Sequence, residues 1–172
     1  MTVREREDQI RRLPIENAVA WNAEGAEVLV KAGEKNRIVF TDEEMDLLKG
    51  TVFTHNHPNG LAFPDDDPRS FGNSFSIEDL RLACYAELAE LRAVTPRLRF
   101  FIKPPATGWD FNYWLTIMEP AYLRHKATVA RELREALVSK IVTLAQADAV
   151  YFDRICSGVS YELGLEYSRE ES

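Results

Sequence analysis

The segment TVFTHNHP, residues 51–58, joins a strand-like apolar start to two of the three histidines in the chain. Alternate residues of a strand point to the same face, so the imidazoles of His55 and His57 are expected to reach one point. Pro58 favours an extended backbone at His57, which helps to keep that geometry. Two converging imidazoles supply two of the three protein ligands of a catalytic zinc site, and a carboxylate commonly supplies the third. The segment therefore predicts a strand that ends in a metal site.

The missing carboxylate is offered downstream by the segment SIED, residues 76–79. Ser76 and Asp79 have the spacing of a capping box, which places Asp79 in the first turn of a helix. A side chain in that turn can face back toward the end of the preceding strand. Taken alone, the pair is only a helix cap. The two interpretations are compatible, because a cap fixes the helix start that presents the carboxylate.

Strands and helices alternate through the first hundred residues, and a helical region follows. In the first strand, the two-residue period places Glu16, Ala18 and Ala20 on one side. Hydrophobic periodicity predicts strands at 15–22, 26–32, 51–55 and 97–105. Caps and periodicity predict a capped helix from Thr41, a helix of about five turns at 76–93, and one helix of roughly nine or ten turns near 120–153. Residues 107–118 fit either a strand or a helix. The predicted fold class is α/β, a mixed sheet flanked by helices with a long helix toward the carboxyl terminus.

Composition narrows the functional class. The 172 residues are 45% hydrophobic and carry a net charge of −7, which argues against a general nucleic-acid binder. Cys84 and Cys156 lie in apolar, helix-like surroundings, so we expect buried thiols rather than a disulfide, as in a reducing compartment. No apolar run approaches the ~20 residues that a membrane helix requires, and the charged amino terminus lacks a signal-peptide core. The sequence predicts a soluble cytoplasmic protein.

The assembled pattern is more specific than its parts. His-x-His-Pro, a loop, and Ser-x-x-Asp at a helix start together resemble the JAMM (JAB/MPN-type) zinc metalloprotease family, in its bacterial or phage branch. That family places a glutamate at the start of its first strand, some forty residues before the histidines. Glu16 begins such a strand 39 residues before His55, and the intervening order is strand, strand, capped helix, strand. The resemblance covers residues 14–104, between a charged lead-in at 1–13 and a helical extension at 105–172.

The resemblance implies a JAB/MPN-like, cytidine-deaminase-like layering of sheet and helices, and one zinc per chain held by His55, His57 and Asp79. Glu16 would take the proton of a zinc-bound water and pass it to the leaving amine. Ser76 would donate a hydrogen bond to the developing oxyanion. In the family the scissile bond is a peptide or isopeptide bond, often one that joins ubiquitin or a ubiquitin-like protein to lysine. The implied partner is a protein or peptide substrate.

The loop between the histidines and the serine departs from the family pattern. Eighteen residues, Pro58–Phe75, separate His57 from Ser76, about eleven more than is usual in the family. The insertion contains the acidic triplet Asp65–Asp67, which we expect to be a solvated loop tip. Two alternatives stay open: one of these aspartates replaces Asp79 as a ligand, or the loop is a lid over the substrate groove.

Other assignments of the chemistry are weaker. Glu24 and Glu27 are alternatives to Glu16, but Glu24 falls in a turn and Glu27 begins the second strand. The letters HNH do not indicate an HNH nuclease, in which these residues are spread over a strand and a helix. A zinc deaminase requires a C-x-x-C that the chain lacks. Nucleophilic chemistry at Cys84 or Cys156 would require exposure beside a histidine.

A second function of a different class stays open. The chain could be a non-enzymatic JAB/MPN-like interaction module of a larger phage- or toxin-related assembly. The helix near 120–153 would then dock a partner or form a homo-oligomer. Scaffold members typically lose zinc ligands, whereas this sequence keeps all three, so the enzyme is the preferred hypothesis. Neither hypothesis calls for nucleic acid or a membrane as a partner.

Overall fold

The computed structural model describes residues 1–171, which form one six-stranded sheet with helices on both faces. The elements are α1 (Val3–Ile10), β1 (Asn17–Trp21), β2 (Glu27–Ala32), α2 (Asp42–Leu48), β3 (Val52–Asn56), 3₁₀ turns at Pro58–Ala62 and Pro68–Phe71, α3 (Ile77–Tyr85), β4 (Glu90–Val94), β5 (Leu98–Ile102), α4 (Phe111–Tyr113), a π-helical segment (Trp114–Met118), α5 (Glu119–Val138), α6 (Leu144–Leu163) and β6 (Tyr167–Glu171). This agrees with the predicted α/β class and mixed sheet.

The histidine strand β3 lies inside the sheet. The strand order is β2-β1-β3-β4-β5-β6. β3 pairs antiparallel with β1, with Ala18 opposite His55, and parallel with β4, with Ala93 opposite His55. The other neighbouring strands pair antiparallel. Both neighbours of His55 are therefore small residues, which leaves room for the imidazole on the sheet surface.

One face of the sheet carries the main core. Phe53, Leu91 and Phe100 point to this face and are buried against α3, α5 and α6. Phe75, which precedes α3, packs edge-on against Phe100 with ring centroids 6.4 Å apart. His55 is two residues from Phe53 along β3 and so lies on the same covered face, where it is 3% exposed.

The opposite face is covered by α1, within the segment predicted as a charged lead-in. Glu7 of this helix is completely buried and accepts hydrogen bonds from Arg92 Nε at 2.6 Å, Arg99 Nε at 3.1 Å and Thr54 Oγ1 at 3.2 Å. A buried carboxylate needs such partners, because desolvation of an unpaired charge is costly. The predicted lead-in thus contributes a buried charged residue, Glu7, to the packed structure.

The prediction of a five-turn helix at 76–93 is wrong in its second half. α3 ends at Tyr85, and Glu90–Val94 form β4 beside β3. The break falls at Glu87, whose φ of 48° is left-handed. Leu88 and Leu91 fit the helical spacing from Leu80 and are buried, but they belong to a turn and a strand. Burial of these leucines is compatible with the helical period and with the two-residue period of a strand. The pairing of β4 with β3 shows that residues 90–94 form a strand.

The prediction of one helix over 120–153 is also wrong. α5 ends at Val138 and α6 begins at Leu144, and the two helices pack against each other. Lys140 takes a left-handed φ of 56° in the turn, and Thr143 caps α6 by a capping box with Gln146. The spacing Thr-x-x-Gln is typical of a capping box and so indicates the start of a helix within the apolar pattern. The long helical region is instead Phe111–Val138, which contains the ambiguous segment 107–118 for most of its length.

Several other predictions are confirmed. β1, β2, β3 and β5 lie where alternation places strands, and the Thr41–Glu44 capping box starts α2. Cys84 and Cys156 are free and buried. Among residues 1–171, no helix combines the length and the apolar character needed to cross a membrane.

The carboxyl-terminal strand β6 was not predicted; it adds to the sheet beside β5.

Candidate metal centre

The end of β3 delivers both histidines to one point. His55 and His57 are separated by one residue, so their side chains leave the strand on the same face. Their Nε2 atoms lie 2.8 Å apart, and the ring planes are inclined by 73°. Nitrogens so close cannot both carry a proton without repulsion, and the arrangement suits two lone pairs directed at a shared cation.

Asp79 completes the group from the first turn of α3. Its Oδ1 lies 3.1 Å from His55 Nε2, and its Oδ2 lies 3.5 Å from His57 Nε2. One ligand atom from each of the three side chains lies within 4.8 Å of the others, so the group could hold a metal ion. Imidazole nitrogen and carboxylate oxygen are ligands that zinc and several other transition metals accept.

The capping box orients the Asp79 carboxylate. Ser76 Oγ accepts from the Asp79 amide at 3.2 Å and donates to Asp79 Oδ2 at 2.8 Å. The Ser76 amide donates to the same Oδ2 at 2.7 Å. The predicted cap and the predicted ligand are therefore one structure. In this geometry the Ser76 hydroxyl is engaged by Asp79 rather than free to face a substrate.

The charges of the group are mutually supporting. Burial disfavours ionisation of Asp79, but attraction and hydrogen bonds from His55 and His57 hold the pKa of its carboxyl well below the usual range. Burial likewise opposes protonation of His57, yet the hydrogen bond and charge of Asp79 raise the pKa of that imidazole. The carboxylate is thus ionised at neutral pH, as a metal ligand must be.

A backbone carbonyl fixes the tautomer of His57. Its Nδ1 lies 2.9 Å from the carbonyl oxygen of Asn73, so this nitrogen carries the proton and donates it. The lone pair of the ring is then on Nε2, the atom that faces His55 and Asp79. Among the described residues, His55 Nδ1 is buried without a hydrogen-bond partner. The donor atoms of the three side chains fit a divalent metal in atom type and convergence, and the tautomer of His57 fits as well.

Glu16 lines a cavity that His55, His57 and Asp79 also line. It immediately precedes β1 on the face of Ala18, which pairs with His55. Burial raises the pKa of its carboxyl, and the nearby Asp79 charge adds to this while the two imidazoles oppose it. The alternatives lie elsewhere: Glu24 is exposed in the β1–β2 turn, and Glu27 pairs with Arg6.

The metal group forms the floor of a cavity of about 620 Å³. The segment between β2 and α2 contributes Ile38 and Phe40 to the lining together with the polar Asn36 and Arg37, and β3 contributes Phe53. Helix α3 contributes Arg81 and Tyr85. The cavity lining is therefore a mixture of apolar and polar side chains from the β2–α2 segment, β3 and α3.

The insertion between the histidines and α3 is packed against the protein. Asp67 accepts from the Arg69 amide at 2.8 Å and pairs with its guanidinium at 2.7 Å, while the Asp65 carbonyl accepts from Arg97 at 3.1 Å. The acidic triplet lies outside both the metal group and the cavity lining. Only the ends of the insertion reach the cavity, at Pro58–Asn59 and Asn73–Ser74. The geometry thus favours Asp79 over the triplet as the third ligand.

Distant parts of the chain hold the returning end of the insertion. Ser74 Oγ donates to the Tyr167 hydroxyl at 2.8 Å, and that hydroxyl donates to Asp153 Oδ1 at 2.5 Å. Thr95 Oγ1 donates to the Phe71 carbonyl at 2.6 Å. The segment that presents the Asn73 carbonyl is therefore tied to β6 and α6. Sequence reasoning missed this support, because a backbone carbonyl has no residue signature.

Comparison with known proteins adds no family assignment: no protein-family model, curated protein or solved structure matches this chain.

Proposed function

We propose that this chain is a zinc-dependent hydrolase of a peptide or isopeptide bond, of JAMM type with a JAB/MPN-like fold. The observation that carries the proposal is the convergence of His55, His57 and Asp79 on the floor of a cavity that Glu16 also lines. Zinc held by these three side chains would supply a Lewis acid and a water of pKa near ~7.

Glu16 is the proposed general base and acid. Its half-buried carboxyl has a raised pKa, which makes the carboxylate a stronger base than an exposed glutamate. It enters the cavity from β1, on the same side of the sheet as the metal group. A group in this position can accept a proton from the nucleophile and return it to the leaving amine.

Ser76 has two proposed contributions. Its hydroxyl donates to Asp79 and so orients a ligand. Because Ser76 also lines the cavity, rotation of the hydroxyl would let it donate to a developing oxyanion. The first contribution acts on metal affinity and the second on kcat, so Ser76→Ala separates them.

The substrate class is a protein or peptide, including ubiquitin-like conjugates. A cleft with Ile38, Phe40 and Phe53 in its lining accommodates apolar side chains of an extended chain, and a cavity of about 620 Å³ holds several residues of such a chain. The cleft carries carboxylates and only isolated basic side chains, which does not favour nucleic acid.

The test combines metal content with cleavage. Purified wild type is assayed for zinc and for hydrolysis of peptide libraries and of ubiquitin-like isopeptide conjugates, with and without chelator. We expect one zinc per chain, chelator-sensitive cleavage, and a loss of about 10²–10⁴ in kcat for Glu16→Gln. Glu24→Gln, on the exposed turn after the same strand, is the matched control and should match the wild type.

Three outcomes would overturn the proposal. Cleavage that survives chelation, or that Glu16→Gln leaves unchanged, contradicts the mechanism. Stoichiometric zinc without cleavage of either substrate class would instead favour the interaction module, with α5 and α6 as its docking helices.

A further inference from the structure

Asn56, the residue between the two histidines, is hydrogen-bonded to the segment that carries Glu16. It alternates with them along β3, so its side chain points to the opposite face, where it is completely buried. Its amide oxygen accepts from the Asn17 backbone amide at 2.6 Å. Its amide nitrogen lies 3.1 Å from each of the carbonyl oxygens of Leu13 and Ile15 and donates to both.

These three contacts surround Glu16 in the chain. Residue 17 follows Glu16 and residue 15 precedes it, and both are bonded to the same carboxamide. On its other side, the Glu16 backbone is held by the edge hairpin: its amide donates to Glu34 at 2.9 Å, and its carbonyl accepts from Gly33 at 2.7 Å. The segment that carries Glu16 is thus bonded from both sides.

Beyond the end of the β1–β3 ladder, the side chain of Asn56 provides the hydrogen bonds between the two segments. The last residue pair of this ladder is Ala18 with His55. The His57 amide already donates to the Val94 carbonyl of β4 at 2.8 Å, and Pro58 has no amide hydrogen. A carboxamide has one acceptor and two donor hydrogens, so it can replace the peptide groups that the ladder lacks at this point.

We propose that Asn56 is a positioning residue that holds Glu16 in register with His55 and His57. One tripeptide, His-Asn-His, then presents two metal ligands on one face of β3 and fixes the base from the other face. The inference rests on the proposed function for the role of Glu16, but the positional part stands on hydrogen bonds within the chain. Aspartate cannot replace Asn56, because its carboxylate has no hydrogen to donate to the two carbonyls.

The kinetic test is a double-mutant cycle with Glu16. We expect Asn56→Ala to lower kcat by about 10–10²-fold with little change in KM, because a displaced base costs rate rather than affinity. In a Glu16→Gln background the same substitution should cost less than about twofold, since there is no base left to misplace. Zinc content should stay at the wild-type level in every variant. Equal losses in both backgrounds would overturn the proposal.

Thr54→Val is the matched control. Thr54 lies on the same strand and the same buried face, and its hydroxyl bonds to Glu7 instead of the Glu16 segment. It should leave kcat close to wild type, although it also removes a buried hydrogen bond. Asn56→Ser serves as a milder second variant if Asn56→Ala folds poorly.

Hydrogen exchange tests the positional claim without any substrate. In Asn56→Ala, the amides of Glu16 and Asn17 should exchange at least ~10-fold faster than in Thr54→Val, because local opening of this segment becomes easier. Unchanged protection of both amides would overturn the proposal even if cleavage is observed. Lost protection with no cleavage of any substrate would uphold the positional role and count only against the hydrolase function.

Discussion

Zinc is expected to raise the thermal stability of this protein through His55, His57 and Asp79. A ligand that binds the folded state at one hundred times its dissociation constant adds about 2.7 kcal/mol to the free energy of unfolding. For a chain of 172 residues, each kcal/mol moves Tm by about 2–4 °C. The predicted rise is therefore roughly 5–10 °C.

Two structural features bear on this magnitude. The Asn73 carbonyl and the Ser76 hydroxyl already hold His57 and Asp79 in orientation, so little ordering is needed when the metal binds. A second feature makes the rise in Tm smaller. Because only one residue separates His55 from His57, the unfolded chain can keep weak affinity for zinc, and binding to the unfolded state reduces the stabilisation. We therefore expect the rise in Tm to fall in the lower half of this range.

The assay is calorimetry of chelator-treated protein with and without added zinc. Wild type should show the rise, while His57→Ala and Asp79→Ala should show none at the same zinc concentration. Two control variants should keep the rise in Tm. They are Asp67→Ala, in the acidic triplet, and His125→Ala, which removes an imidazole that lies 2.8 Å from Glu162. A rise retained in Asp79→Ala and lost in Asp67→Ala would refute the assignment of the third ligand.

Three further predictions concern the supports of the site and of the sheet. Glu7→Ala should cost up to about 3–5 kcal/mol of stability in urea denaturation, because Arg92 and Arg99 lose their shared, fully buried partner and keep only Glu90 and the exposed Asp8; a cost below about 1 kcal/mol would contradict this account. Zinc affinity, measured by chelator competition, should fall as pH falls, because the raised pKa of His57 means that protons compete with the metal from a higher pH downward. An affinity that rises on acidification would refute this sign. Ser76→Ala should weaken zinc binding by about 10–100-fold, since it removes a hydrogen bond to a ligand; an unchanged affinity with reduced kcat would favour the oxyanion role alone.

The candidate site was predictable in the parts that depend on local geometry. The alternation of a strand places His55 and His57 together, and a capping box places Asp79 at the third position of its helix. Both rules act within four residues. Glu16 was predicted from a family resemblance and from its side of the strand, and its position at the cavity comes from the pairing of β1 with β3.

The wrong predictions share one cause. Leu88 and Leu91 fit the helical pattern of α3, and apolar residues continue across the α5–α6 turn. Apolar spacing over a few residues cannot distinguish a continuing helix from a turn that leads into another buried element. The chain turns at Glu87 and at Lys140, and both residues have a left-handed φ. Because neither is a glycine, the sequence does not indicate these turns.

The sequence by itself indicated the three candidate ligands, the helix caps and the side of β1 on which Glu16 lies, because each follows from the local geometry of one strand or one helix start. The tertiary structure decided what surrounds them. It brings the Asn73 carbonyl to His57, the Asn56 carboxamide to the Glu16 segment and Glu7 to two arginines of the sheet. These contacts join residues between 16 and 92 positions apart in the chain, and such pairings depend on which strands become neighbours when the core is buried.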